Sequence, residues 1–434
     1  MKIQFYGATE DVTGSMTVVE RCGKLGLIDS GLYQGDRETS DKNFLPLPFE
    51  PRELEAIVVT HAHLDHSGKL PFLVKKGFKG QIVCTRETSE LLKIILEDSA
   101  SLNEDKNGAL YGEEDVKKTL KLIRSVHWEE SFDFLGAKAK LISAGHILGA
   151  SSVIIDGEKK IVFSGDLGRS DDYLLPSPTP CPAADIVIME STYGGRIRKG
   201  DLRKDIVEFL KKVRTENTVG IIASFALARG QTLITLIAET FKERPDLKMP
   251  LYFDSPMMKE VNGVYKKHSD LTKLPWEMFF ALEHADSLDY EREWETLKRK
   301  SGPFIIISSS GMVTGGRIFR SLANWQNDSQ AILFLVGYQG ENTNGRALLE
   351  GHRTIKDNEG KEITWQGEIY SSEAFSSHAD QSELIGWVKN SGAKKVFLIH
   401  GDQESKLTLK NKLEAFITNE VIVPRMNEVF QFDE

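Results

Sequence analysis

Metal-binding side chains are crowded into one short stretch of the chain, His61-Ala62-His63-Leu64-Asp65-His66. An apolar run at 56–59 precedes the stretch, and we expect this run to form a buried strand with the histidines on the loop at its end. Imidazole nitrogens and carboxylate oxygens together suit Zn²⁺ and related divalent ions. No cysteine accompanies them, which favours a catalytic metal site over a structural one.

The same ligand chemistry recurs at three later positions, where apolar segments end: His146, Asp166 and His400. An α/β sheet places its chemistry at the carboxyl ends of its strands. A single histidine at a strand end is more often structural, but ligands at four strand ends are hard to explain in that way. The sequence therefore predicts one metal site that is collected from four separate parts of the chain.

The composition indicates an ordinary folded enzyme. The chain has 434 residues and 40% hydrophobic content, which is enough to bury a large core and to form two domains. No apolar run is long enough to span a bilayer, and the first residues resemble a strand more than a signal peptide. Cys22, Cys84 and Cys181 are far apart and predict reduced thiols, so we expect a cytoplasmic protein with no membrane contact.

The order of strands and helices predicts an α/β protein with an insertion. Over residues 1–196, short strands alternate with loops and helical patches, which is typical of a layered sandwich. Over residues 197–350, helical segments alternate with strand-like segments such as 219–224, and this alternation predicts a parallel, doubly wound domain. Residues 351–434 would then return to the first domain.

Seven short motifs resemble those of the metallo-β-lactamase superfamily and, within it, those of the β-CASP nucleases. The superfamily motifs are matched by Asp29, the stretch 61–66, His146 and Asp166, and the β-CASP motifs by Glu190, His378 and His400. The motifs occur in the family's order and cover essentially the whole chain. The resemblance implies a metallo-β-lactamase αββα sandwich with an inserted β-CASP α/β domain built on a parallel sheet.

The resemblance also implies a site for two zinc ions. His61, His63 and His146 would hold one ion, Asp65, His66 and His400 would hold the other, and Asp166 would bridge them. Two such ions can share a hydroxide, lower its pKa and clamp the phosphoryl oxygens of a substrate. On this reading, Asp65 counts both as a ligand and as a catalytic residue.

Three further side chains would serve the reaction around the ions. Asp29 would be the partner of a ligand histidine. His378 would act as a general acid for the leaving oxygen or donate to the scissile phosphate. Glu190 would orient His378 and raise its basicity.

A second candidate surface lies in the insertion, on the segment Ser308-Ser309-Ser310-Gly311-Met312. Hydroxyl and amide groups on such a turn can donate to phosphate, and the segment resembles the serine-glycine-methionine segment beside the β-CASP active site. Arg229 lies in a segment similar to the family's arginine-glutamine segment and would contact substrate or close the cleft. Ala228 stands where the family usually has glycine, and an interdomain salt bridge is the alternative role for Arg229.

Together these expectations describe a zinc-dependent ribonuclease that hydrolyses phosphodiester bonds of single-stranded RNA and leaves a 5′-phosphate and a 3′-hydroxyl. Histidine at the third β-CASP motif, here His400, goes with RNA substrates in the family. Endonucleolytic cleavage is favoured, and 5′-exonucleolytic cleavage stays open. Iron or manganese could replace zinc at such ligands, and the resemblance leaves a homodimer open.

Two other functions stay open at this point. A small-molecule metallo-hydrolase that acts on a thioester, lactone or β-lactam would share the first four motifs, but it would leave Glu190, His378 and the insertion unused. A non-catalytic RNA-binding subunit is expected to have lost ligand positions, and none is lost here. The net charge of −9 argues against nucleic-acid binding, although two zinc ions would add about +4 of formal charge to the site.

Overall fold

The computed structural model of the protein describes residues 1–35, 37–102, 109–273, 286–287, 291–337, 339–340, 342–357, 359–372, 374–415 and 420–432. The chain divides into two compact units, a first unit of residues 1–197 and 378–434 and a second unit of residues 198–377. In the described ranges, none of the helices combines the length and the hydrophobicity that a membrane crossing requires.

The strands of both units are short. In chain order they are β1 (Lys2–Phe5), β2 (Thr17–Arg21), β3 (Lys24–Ile28), β4 (Leu54–Val58), β5 (Gln81–Thr85), β6 (Ile123–Val126), β7 (Ser131–Phe134), β8 (Ala137–Ser143), β9 (Ser151–Asp156), β10 (Lys160–Phe163), β11 (Ile186–Glu190), β12 (Val219–Ala223), β13 (Leu251–Asp254), β14 (Asp286–Ser287), β15 (Phe304–Ser308), β16 (Ile332–Val336), β17 (Thr354–Lys356), β18 (Glu362–Thr364), β19 (Glu368–Ser372), β20 (Lys395–Ile399), β21 (Glu420–Ile422) and β22 (Val429–Gln431). The strands predicted at 56–59, 219–224 and 304–307 are confirmed as β4, β12 and β15.

Helices connect the strands. They are α1 (Arg37–Asp41), α2 (Leu64–Ser67), α3 (Leu70–Lys75), α4 (Arg86–Ser101), α5 (Glu113–Leu120), α6 (Leu202–Glu216), α7 (Arg229–Glu243), α8 (Pro256–Lys267), α9 (Glu291–Leu297), α10 (Ile318–Trp325), α11 (Asn344–Leu349), α12 (Gln381–Val388) and α13 (Gln403–Leu413). Short 3₁₀ turns lie at Lys42–Phe44, Pro51–Glu53, Pro245–Leu247 and Ser269–Leu271.

The first unit is a sandwich of two seven-stranded sheets. Their strand orders are β22-β1-β2-β3-β4-β5-β6 and β21-β20-β11-β10-β9-β8-β7. Apolar side chains from both sheets form one buried cluster, with Val58 and Val83 from one sheet and Ile161, Ile188 and Phe397 from the other. Helix α4 contacts β5 and β6, and α13 contacts β20 and β21, so each sheet carries helices. The predicted αββα sandwich is confirmed.

The second unit is built on a six-stranded sheet with the order β14-β13-β15-β12-β16-β19. All of its strand pairs are parallel. Strands β12, β15 and β16 are buried along their whole length, as expected for parallel strands that carry helices on their faces. The predicted parallel-sheet domain is therefore present in the chain.

The second unit extends past residue 350, where the sequence analysis placed its end. Strand β19 pairs with β16 and completes one edge of the six-stranded sheet. Trp365 is fully buried in the apolar cluster of this unit. Residues 351–377 therefore belong to the second unit, because they supply one of its strands and part of its core.

A strained turn begins helix α7. Ala228 has φ 68° and ψ −66°, and the Arg229 amide donates to the Leu227 carbonyl at 3.0 Å. These values define a classic γ-turn, a conformation that is rare and strained for a residue with a Cβ. Glycine at this position would adopt the same conformation with less strain.

We expect Ala228→Gly to raise the free energy of unfolding by about 1 kcal/mol. Glycine relieves the strain of the turn, and this gain exceeds the extra backbone entropy that glycine loses on folding. Urea unfolding of the wild type and the variant measures the difference. Ala238→Gly, in the interior of α7, is the matched control and should lower the free energy of unfolding by about 1 kcal/mol. Destabilisation by both substitutions would contradict the assignment of strain to Ala228.

Candidate metal centre

The predicted ligands and Asp29, the predicted partner of a ligand histidine, follow the carboxyl ends of strands in both sheets of the first unit. Asp29 directly follows β3, and the stretch 61–66 follows β4 after two residues. In the second sheet, Asp166 follows β10 and His400 directly follows β20. The parallel register of β11 and β20 aligns Glu190 with Ile399, so Glu190 lies beside the strand end that carries His400.

One group of ligand atoms comes from three histidines and Asp166. His63 Nδ1 lies 3.1 Å from His61 Nε2 and 3.3 Å from His146 Nε2. Asp166 Oδ2 lies 3.6 Å from His61 Nε2 and 3.7 Å from His146 Nε2. Three imidazole nitrogens and one carboxylate oxygen thus lie within 4.8 Å of one another. Four ligands is the coordination number that Zn²⁺ prefers.

A second group of ligand atoms comes from Asp65, His66 and His400. His66 Nε2 and His400 Nε2 lie 3.0 Å apart, and His400 Nε2 lies 3.5 Å from Asp65 Oδ2. Asp166 Oδ1 lies 3.2 Å from His66 Nε2. The two oxygens of Asp166 therefore face different groups, the arrangement expected of a bridging carboxylate.

Asp29 and Thr60 orient one histidine of each group. Asp29 Oδ2 accepts from His66 Nδ1 at 2.7 Å, and the Thr60 hydroxyl donates to the same carboxylate at 2.9 Å. The only proton of this hydroxyl is then used, so His61 Nδ1, at 3.1 Å, must donate to Thr60 Oγ1. With Nδ1 protonated, the Nε2 atoms of His61 and His66 are left to bind a cation.

Thr192 plays the corresponding part for His400. Its hydroxyl donates to the His400 carbonyl at 3.0 Å, so the His400 Nδ1–H donates to Thr192 Oγ1 at 3.0 Å. His400 thereby presents an unprotonated Nε2 to the second group. The motifs did not predict a role for Thr60 or Thr192. Each lies within two residues of a motif residue, and this proximity was the available signal.

The loops before β2 and after β3 hold the 61–66 stretch through backbone contacts. The amides of Ser15 and Ser30 donate to the carbonyls of Asp65 and His66, each at 2.8 Å. A Cβ atom at Gly31 would lie 1.6 Å from the Asp65 carbonyl oxygen, so only glycine allows this approach. The ligand stretch is therefore fixed by its main chain as well as by its side chains.

Electrostatics keep His61 and His63 neutral and favour positive charge beside Asp166 and Asp29. Burial lowers the pKa of His63 to about 4, and burial with the neighbouring imidazoles lowers the pKa of His61 well below its ordinary value. Burial also opposes a charge on His66, but the carboxylates of Asp166 and Asp29 outweigh it and raise the pKa of His66 well above its ordinary value. A cation at this place would interact favourably with the same carboxylates.

The residues present fit two divalent cations. Asp166 Oδ1 is buried without a well-formed hydrogen bond. His66 Nε2 and His400 Nε2 lie 3.0 Å apart, close enough for one cation to bind both. The ligand set of imidazole nitrogens and carboxylate oxygens is the one that Zn²⁺ accepts, and Mn²⁺ and Fe²⁺ accept related sets.

Glu190 and His378 form a third group beside Asp166. Glu190 is buried and accepts from the Leu167 amide at 2.7 Å and from His378 Nδ1 at 3.2 Å. His378 Nδ1 lies 4.0 Å from Asp166 Oδ2, and its side chain is 21% exposed, whereas His61 and His146 are fully buried. His378 is thus positioned to meet a substrate while Glu190 holds it in place.

The predicted substrate segment, residues 308–312, lies in the second unit. Ser308 ends β15 and is fully buried, with no hydrogen bond to its hydroxyl. Its role in substrate binding stays a prediction. Ser309, Ser310 and Met312 are partly exposed, while Gly311 is buried. Ser310 Oγ accepts from the Thr314 amide at 3.1 Å, which closes the turn.

Arg229 makes contacts within the second unit. Its Nη1 donates to the Val336 carbonyl at 2.9 Å, and its guanidinium carbon lies 4.8 Å from the centre of the Phe225 ring. These contacts anchor Arg229 to a strand end and to an aromatic ring. Neither of the predicted roles, substrate contact or interdomain salt bridge, follows from them directly.

Three family models match the chain. Residues 9–208 match the metallo-beta-lactamase superfamily, residues 230–348 match the Beta-Casp domain, and residues 362–424 match the Zn-dependent metallo-hydrolase RNA specificity domain. The three matched regions follow one another along the chain and take up most of its length.

Relatives and a solved structure resemble the chain over nearly its full length. Ribonuclease TTHA0252 of Thermus thermophilus is 31% identical, with 99% of each chain covered. Cleavage and polyadenylation specificity factor 73 of Drosophila melanogaster is 27% identical over 97% of this chain and 63% of its own length. The RNase J-like protein of Methanocaldococcus jannaschii is 28% identical over 94% of each chain. A protein of unknown function from Enterococcus faecalis shares the fold, with a TM-score of 0.59 at 14% identity over 99% of each chain.

We expect Thr60→Val to weaken metal binding about 10- to 100-fold, because it removes the hydroxyl that orients His61 and supports Asp29. Thr60→Ser, which keeps the hydroxyl, is the matched control and should bind metal as the wild type does. Competition with a chelator, read by the metal content of the recovered protein, measures the difference. Equal metal retention by the valine and serine variants would show that the hydroxyl does not position the ligands.

Proposed function

We propose that this chain, which belongs to the metallo-β-lactamase superfamily and to its β-CASP family, hydrolyses the phosphodiester bonds of single-stranded RNA with two zinc ions. The names of its relatives and its matched domains identify a metal-dependent hydrolase and a ribonuclease. The observation that carries the finer proposal is that the two oxygens of Asp166 lie near the two ligand groups, with His378 and Glu190 beside them.

Each zinc ion would have its own ligands. His61, His63 and His146 would hold one, Asp65, His66 and His400 the other, and Asp166 both, because its two oxygens face the two groups. When bound, two such ions supply Lewis acidity that lowers the pKa of water and neutralises charge on the phosphoryl oxygens. Asp29, Thr60 and Thr192 would keep the histidines in the tautomer that can bind the ions.

His378 would supply a proton to the leaving 3′-oxygen. Burial alone would lower the pKa of His378, but the charge of Glu190 and its hydrogen bond raise it above the ordinary value. The imidazole is therefore more readily protonated, as a general acid must be. The hydrogen bond from His378 Nδ1 to Glu190 directs Nε2 away from this carboxylate. The products would be a 5′-phosphate and a 3′-hydroxyl.

RNA is the proposed polymer for three reasons. The chain matches an RNA specificity domain, its relatives include ribonucleases, and His400 occupies the third β-CASP motif. The charge of the second unit does not oppose RNA binding. Over residues 198–377, the number of basic residues (Lys and Arg) equals the number of acidic residues (Asp and Glu). The net charge of −9 therefore belongs to the unit that would bind the cations. We favour endonucleolytic cleavage, with 5′-exonucleolytic cleavage as a further mode.

The location and the assembly of the protein stay predictions. Cys84 and Cys181 are buried free thiols whose pKa values burial raises, and inert thiols of this kind are consistent with the proposed cytoplasmic location. A homodimer is proposed from the family alone.

A cleavage assay tests the function directly. Single-stranded RNA labelled internally and at its 5′ end should give internal fragments with 5′-phosphates, and the matching DNA should be cut more slowly. Asp65→Ala should lower the rate roughly 100-fold or more, because it removes a metal ligand. Asp156→Ala changes a carboxylate that is 54% exposed and outside the site, and it should leave the rate unchanged. Intact RNA after incubation with zinc-loaded wild type would refute the proposal.

A modified linkage tests the role of His378. His378→Ala should lower kcat on ordinary RNA about 10²- to 10⁴-fold while the metal content stays at the wild-type level. A 3′-bridging sulfur at the scissile bond leaves as a thiolate that needs no proton, so the variant should cleave this substrate nearly as fast as the wild type. A defect of equal size on both substrates would assign His378 to binding rather than to proton donation.

A further inference from the structure

An aromatic side chain is exposed at the carboxyl edge of the parallel sheet in the second unit. Strands β12 and β15 are aligned so that Ala223 pairs with Ser308, and the Ser224 amide continues the pairing to the Ser308 carbonyl at 3.0 Å. Phe225 and Ser310 each follow this pair by two residues. The sheet register therefore places the Phe225 ring beside the serine–glycine turn.

The ring is held on two sides and remains 36% exposed. The Arg229 guanidinium lies 4.8 Å from the ring centre, in the range of a cation–π contact. A Cβ atom at Gly311 would lie 3.0 Å from Phe225 Cδ2, so the backbone of the turn rests against the ring. An exposed phenylalanine fixed in this way loses little conformational freedom when a ligand covers it.

Hydrogen bonds hold the loop that carries the ring. The Gly230 amide donates to the Phe225 carbonyl at 3.1 Å, and the Ser224 hydroxyl donates to the same carbonyl at 3.0 Å. Arg229 is anchored to the Val336 carbonyl, and the strained turn at Ala228 aims it at the ring. Strain of this kind persists only where the surrounding structure imposes it, and it is concentrated at functional sites.

We infer that Phe225 is a stacking platform for one nucleobase of the RNA substrate, an inference that rests on the function proposed above. Nucleobases stack on aromatic rings, and the contact tolerates all four bases because each has a π face. The Arg229 guanidinium polarises the ring and adds positive charge close to the ribose-phosphate chain. Ser310, which is partly exposed, and Thr314, which is exposed, would offer hydroxyl groups to the same nucleotide.

Fluorescence of 2-aminopurine tests the stacking. A set of single-stranded RNAs, each with 2-aminopurine at one position, is bound to the zinc-loaded His378→Ala protein. One position should lose fluorescence on binding, and Phe225→Leu in the same background should restore it, whereas Phe225→Tyr should keep the quenching. Quenching that persists in Phe225→Leu at every position would overturn the inference.

Binding and cleavage with abasic RNA give an independent reading. Phe225→Leu should weaken RNA binding about 5- to 100-fold and raise KM more than it lowers kcat, which is the effect expected for the loss of one stacked base. An abasic nucleotide at the quenched position should weaken wild-type binding by a similar factor and leave Phe225→Leu binding unchanged. Additive losses from the two changes would overturn the inference. The abasic RNA and Phe225→Tyr keep the test decisive if the leucine variant folds poorly.

Controls separate the inference from the function on which it rests. Phe44→Leu removes a phenylalanine that is 62% exposed in the first unit, and it should change neither RNA binding nor cleavage. If the wild type cleaves RNA but abasic sites have no effect, the stacking inference alone is overturned. If the wild type neither binds nor cleaves RNA, the stacking inference and the proposed function are both overturned. A changed oligomeric state of Phe225→Leu with unchanged RNA binding would assign the ring to a protein contact and would overturn the inference.

Discussion

The buried carboxylate of Asp166 is the group on which both clusters of ligand atoms depend. Its two oxygens face different sets of imidazole nitrogens, and one of these oxygens has no well-formed hydrogen bond. A carboxylate buried in this way is costly unless positive charge is near it. Burial and the neighbouring imidazoles limit the protonation of His61 and His63, so cations can supply that charge.

Hydrogen bonds behind the histidines determine which nitrogen each can offer. Asp29 acts on His66 directly and on His61 through the Thr60 hydroxyl, so one carboxylate supports a residue of each cluster. The Thr192 hydroxyl donates its proton to the His400 carbonyl, so its oxygen accepts from His400 Nδ1. These partners give the site its preorganisation, because imidazoles that could turn or change tautomer would bind a cation less well.

The two units contribute different physical properties. The first unit concentrates buried carboxylates and carries the whole net negative charge of the chain. The second unit is balanced in charge and exposes an aromatic ring and hydroxyl groups at the carboxyl edge of its sheet. In both units candidate site residues such as His400 and Phe225 follow the carboxyl ends of strands, where side chains and backbone amides can converge without breaking the sheet.

Ligand chemistry was readable from the sequence, since His61, His63, Asp65 and His66 lie within six residues and His146, Asp166 and His400 end apolar segments. The strands that carry them were also predictable, because uninterrupted apolar runs of this length identify buried strands. The end of the second unit was not predictable, because β19 is only partly buried and its place depends on pairing with β16. Only the tertiary structure decided that Ser308 is buried, that Thr60 and Thr192 set the tautomers, and that the Phe225 ring rests between Arg229 and Gly311. Each of these facts depends on distances between residues far apart in the chain, and such distances are fixed by sheet register and packing rather than by local residue patterns.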